Sequence, residues 1–114
     1  MTEVIDPAAT LAAGLAHHGA GRGAEAEAAY RRVLDARPNH PDALHLLGVL
    51  ALQGGNPAWA AELMARSIRF RPGNPACFSN LASALRRLGR RDEALACCQR
   101  ALALDPDFSD GLNN

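Results

Sequence analysis

Residues 74–106 read NPACFSNLASALRRLGRRDEALACCQRALALDP. Asn74 offers a side-chain oxygen to unpaired N–H groups, and Pro75 stands at a first helical position, where a missing N–H costs nothing. Phe78, Leu81, Ala82, Leu85 and Leu88 then recur at helical spacing, so one face is apolar. Gly89 ends that run, because glycine accepts the left-handed backbone after a last turn. Asp92 is placed to cap a second helix, whose inner face reads Ala94, Leu95, Cys98, Ala101 and Leu102. Pro106 follows its end. The stretch predicts two helices joined by a tight turn.

The same unit is written twice more. Pro38, Pro72 and Pro106 are 34 residues apart. Gly21, Gly55 and Gly89 share that period, as do Ala26, Ala60 and Ala94, and Leu34, Ile68 and Leu102. A further column reads Ala13, Leu47, Leu81, followed by Gly14, Gly48, Ala82. The second unit has its own interior cap at Asn56-Pro57, with Ala60, Met64 and Ile68 inward. The first is weaker: His17 takes the place held by Ala51 and Leu85. Repetition at this period marks a stack of supersecondary units, each burying its apolar face on its neighbours. Small residues at Gly48 or Ala82, and at Ala60 or Ala94, let helix backbones approach, while Leu47, Leu81 and Met64 fill the space beside them. The reading is all-α: a solenoid of three helix–turn–helix units at residues 7–40, 41–74 and 75–108, one continuous domain. Residues 1–6 form an extension, and residues 109–114 match the opening of a fourth unit. Leu112 falls under Phe78, Leu44 and Thr10, and Asn114 under Asn80. That predicts an array continuing past Asn114, or an uncapped end that packs on something.

Composition agrees. Of 114 residues, 24 are alanine and 16 leucine, while aromatics supply only 4 %. Alanine and leucine suit close-packed helices, whereas strands use β-branched and aromatic residues. Twelve arginines and no lysine balance 12 acids, so there is no global attraction to nucleic acid or an anionic membrane. No basic start with an apolar run opens the chain, and the longest apolar stretch, Leu46 to Leu52, is far below the ~20 residues of a bilayer span. A cytoplasmic location is expected. Cys77, Cys97 and Cys98 have no framework or redox spacing and read as small reduced residues.

The period, the leucine–glycine pair, the central alanine and the closing proline resemble the tetratricopeptide repeat. The usual first-helix tryptophan is absent; Thr10, Leu44 and Phe78 hold its column. The second-helix aromatic survives as Tyr30, with Met64 and Cys98 in its place elsewhere, which implies a looser core. The resemblance implies that the first helices line a concave wall. Helical spacing then turns Leu11, Leu15 and His18 inward in the first unit. In the second it turns Asp42, His45, Leu46, Val49 and Gln53, and in the third Ser79, Asn80, Ser83, Arg86 and Arg87. Asn114 would extend the row. This groove runs from apolar to polar and basic, and would suit a peptide with an apolar head and an acidic tail. Leu46 and Val49 have an equal second reading, as packing residues of a middle unit. The clustered Arg86, Arg87, Arg90 and Arg91 read either as a solvated helix end, favoured by the helix dipole, or as a site for acidic peptide or phosphate.

No catalytic constellation appears, and no metal or cofactor is expected. His17 and His18 are adjacent and diverge by about 100° on a helix, so they cannot chelate together. His17, in a core-facing column, reads as a partly buried histidine. The glycines near 19–23 and 54–55 follow no strand, which excludes a phosphate loop. The expectation is a non-enzymatic protein–protein interaction module, an adaptor binding a peptide. Two alternatives stay open. One is the substrate-recruiting array of a larger glycosyltransferase: Phe78 to Ser83, with Asn80 above Asn114, resembles the repeat arrays of peptide O-linked N-acetylglucosamine transferases. The other is a homodimer formed through the last helix and the stub. The residues with which chaperone-tail-binding relatives clamp a carboxylate are replaced by Leu11, Leu15, Leu46 and Ala76, so that clamp is missing.

Overall fold

The computed structural model describes residues 4–108. They form six helices: α1 (Pro7–Gly19), α2 (Gly23–Ala36), α3 (Pro41–Gln53), α4 (Pro57–Phe70), α5 (Pro75–Arg87) and α6 (Arg91–Leu104). Each packs on the next, and α3 also touches α5. The result is an elongated all-α stack of 47 × 25 × 22 Å. Asp6, His40, Asn56 and Asn74 cap α1, α3, α4 and α5, each accepting a first-turn N–H, and a proline follows each cap. Gly21, Gly55 and Gly89 turn each pair with φ of +78°, +85° and +78°, a region that side chains with a Cβ avoid. In each turn a backbone N–H just past the helix end reaches back five residues: Arg22 to His17 O, Asn56 to Ala51 O, Arg90 to Leu85 O. The local chemistry therefore repeats as faithfully as the sequence.

The core forms two clusters along the stack. Ala26, Tyr30, Leu44, Leu47 and Leu63 hold α2, α3 and α4 together. Met64, Cys77, Leu81, Ala82, Leu85 and Ala94 hold α4, α5 and α6 together. Small residues permit both. A Cβ on Gly14 would lie 2.6 Å from the Tyr30 ring, and one on Gly48 would lie 2.9 Å from Met64 Cγ. Tyr30 and Met64, both fully buried, occupy the space those glycines leave.

Three expectations need correcting. Asp92 is not a cap: Arg90 holds that position with no side-chain bond, and Asp92 sits in the first turn, where its charge meets the positive helix end. Leu88 follows the last turn of α5 and is exposed. Leu95, one period after the buried Ala61, is 58 % exposed. Ala61 belongs to the cluster built with α5, whereas among the described residues no helix packs on that side of α6.

Candidate functional site: the face of the first helices

The first helices of the pairs are tied to one another by side chains. His18 Nε2 meets Gln53 Oε1 at 2.9 Å, joining α1 to α3. His45 Nε2 meets Asn80 Nδ2 at 2.9 Å, joining α3 to α5. Arg87 donates to the Leu52 carbonyl at 3.0 Å across the same seam. Every tie spans 35 residues, one repeat plus one residue. On the opposite side a groove opens between α4 and α6. Side-chain ties on one side and a groove on the other distinguish two faces of the stack, with α1, α3 and α5 on the tied face.

Of the residues expected there, Leu15 is 46 % exposed. Leu11, Leu46 and Val49 are half-buried and pack against the core clusters. His18 is half-buried and also contacts the Tyr30 hydroxyl at 3.2 Å. Asp42 is ion-paired with Arg71, just past α4. Gln53 and Arg87 are exposed. Asn80 and Ser83 are half-buried, and Ser83 accepts from Arg86 at 3.4 Å. Ser79 is a correction. It is 1 % exposed, because its position on α5 turns it into the seam rather than toward the groove. Asn114 lies outside the described residues.

His45 is the buried polar centre of the wall. Its ring nitrogens face the amide nitrogens of Asn80 and, at 3.5 Å, Asn74. A neutral ring can accept from only one of these amides, and a doubly protonated ring could accept from neither. Burial also pushes its pKa below the usual histidine value, with Asp42 opposing more weakly. The four arginines of the cluster do not converge. Arg86 is on Ser83, Arg87 on a carbonyl, Arg90 on Glu93, and Arg91 is exposed.

Sequence reasoning missed the ties themselves. It also missed Trp59, whose ring carries the Arg31 guanidinium 5.0 Å from its centroid on the outer side. The available signal was its column, which reads Glu25, Trp59, Glu93: the tryptophan breaks an otherwise acidic series.

The arrangement holds no nucleophile–base pair, and no group of three metal-ligating side chains occurs among the described residues. Cys77, Cys97 and Cys98 are free thiols, and burial pushes the Cys77 thiol up to about 11, which favours the thiol over the thiolate at neutral pH. No helix among the described residues is long and apolar enough to cross a membrane.

Known proteins share this architecture. Two tetratricopeptide-repeat family models match residues 8–75 and 75–108. The TPR repeat-containing thioredoxin TTL4 of Arabidopsis thaliana is 40 % identical over 62 residues, 54 % of this chain and 9 % of its own length. Protein FlbA of Caulobacter vibrioides is 35 % identical over 79 residues, 69 % of this chain and 13 % of its own. The chain thus spans about a tenth of the length of the curated relatives it matches. Among solved structures, a Thermobaculum terrenum O-GlcNAc transferase mutant superposes with a TM-score of 0.88 and 31 % identity, covering 96 % of this chain and 22 % of that one. The first TPR of Spaghetti (RPAP3), bound to an HSP90 peptide, superposes with a TM-score of 0.89 at 20 % identity, covering 94 % and 85 %, a likeness of fold.

Proposed function

This chain belongs to the tetratricopeptide-repeat family, and on that premise we propose that it is a non-catalytic adaptor whose inner wall binds a peptide segment of a partner protein. One observation carries the reading: the inner wall is graded. Exposed Leu15 and half-buried Leu11, Leu46 and Val49 give way to Asn80, Ser83, Arg86 and Arg87. A peptide with an apolar half and an acidic half matches that gradient. The ties between His18 and Gln53, and between His45 and Asn80, hold the wall in shape before a peptide arrives, so less ordering is left to the binding step.

The test is a double variant, Leu15→Glu with Arg87→Glu, titrated by fluorescence polarisation with a labelled peptide of one apolar and one acidic half. Affinity should fall at least tenfold while the helical circular dichroism is kept. Equal affinity would overturn the reading.

Two second readings have support of their own. The 31 % identity to an O-GlcNAc transferase over 96 % of the chain favours the substrate-recruiting array of a larger glycosyltransferase. Leu95, 58 % exposed beside half-buried Cys98, favours self-association through α6. Leu95→Glu should then lower the mass seen in light scattering, and an unchanged mass would exclude that contact.

A further inference from the structure

The outer side of the stack carries a packed tryptophan at one seam and a groove at the next. Between α2 and α4, Trp59 packs against the cluster of Leu47 and Leu63, and Arg31 lies over its ring. One period on, between α4 and α6, the same columns hold Glu93 and Ala65 in place of Trp59 and Arg31, and Cys97 in place of Leu63. The loss of bulk leaves a groove of about 490 Å³. Buried Ala61, Leu81 and Leu85 form its floor, and Glu62 and the Arg90–Glu93 ion pair stand on its rim.

We propose that this outer groove receives an aromatic side chain flanked by a cation, presented by a partner protein. The first seam shows what such a space accepts on this scaffold: an indole over leucine and alanine, with a guanidinium above it. The second seam lacks both groups but adds an exposed carboxylate, Glu62, where the flanking cation would lie. An apolar floor, with Glu62 as the rim's one excess charge beside the paired Arg90 and Glu93, selects aromatic plus cation over an aromatic beside an acid. The groove opens between α4 and α6 and meets α5 only through Leu81 and Leu85, which are not among the residues proposed to meet the peptide, so the two sites are separable.

Tryptamine, an indole with an ammonium group, is the probe. Titration followed by methyl NMR should give saturable shifts at Ala61, Ala65 and Ala96. Glu93→Trp, which restores the tryptophan of the first seam, should weaken binding at least tenfold. Ala65→Arg, an exposed change that restores the column of Arg31, should compete for the same space. Indole-3-propionate, with a carboxylate instead, should bind several-fold more weakly. Leu15→Glu with Arg87→Glu should leave tryptamine binding unchanged. Shifts that fail to saturate, equal binding by Glu93→Trp, or equal binding of the anion would overturn the proposal.

Discussion

The two seams of this stack are built on one repeat and differ in almost every polar detail. At the first seam, Leu11 and Leu46 stand where His45 and Asn80 pair at the second. His18 and Gln53 bond side chain to side chain at the first, whereas Arg87 reaches a backbone carbonyl at the second. Trp59 packs on the outer side of the first, and a groove opens at the second. What the repeats share is small residues beside large ones: Gly14 under Tyr30, and Gly48 under Met64. Stacking therefore depends on steric columns, and the polar columns are free to carry recognition.

The largest expected effect breaks the shared part. Tyr30 is fully buried at the first seam, and Tyr30→Ala should cost about 3–5 kcal/mol in urea unfolding, as for other aromatic truncations. A smaller loss would mean the seam collapses onto the cavity. Overpacking comes next. Ala60 is fully buried, and Ala60→Leu should cost about 1–3 kcal/mol by the same measurement.

A titration sharpens the polar difference. The folded state holds His45 below its ordinary value of 6.5, so the unfolded chain binds the extra proton first as pH falls. The contribution is complete above pH 6.5 and declines as pH drops toward the folded value. Thermal midpoints from about pH 7.5 to about pH 5 should fall, and His45→Asn should flatten the decline. The smallest effect concerns α6. Leu95→Glu should change monomer stability by under about 0.5 kcal/mol, while Ala61→Glu, in the same column but 8 % exposed, should cost several times more.

The fold was legible because steric columns repeat. Pro38, Pro72 and Pro106, with Gly21, Gly55 and Gly89, announce helix pairs, and the glycines adopt the positive φ that their place implies. What eluded the sequence depends on neighbours rather than on a residue's own column. Leu95 aligns with Ala61 yet is exposed, since burial there comes from a following helix. Ser79 has the spacing of a groove residue but falls in the seam. The cross-seam ties advance by 35 residues rather than 34, so alignment of columns alone does not pair their members. Leu112 and Asn114, expected to open a further unit, lie outside the described residues.

The central claim is that the inner wall reads a peptide. Amide chemical-shift mapping with an apolar–acidic peptide, against a scrambled control, tests it most directly. The account predicts saturable shifts running from Leu15 through Val49 to Ser83 and Arg87, and none with the scrambled peptide. Shifts confined to α2, α4 and α6, or equal shifts from both peptides, would contradict it.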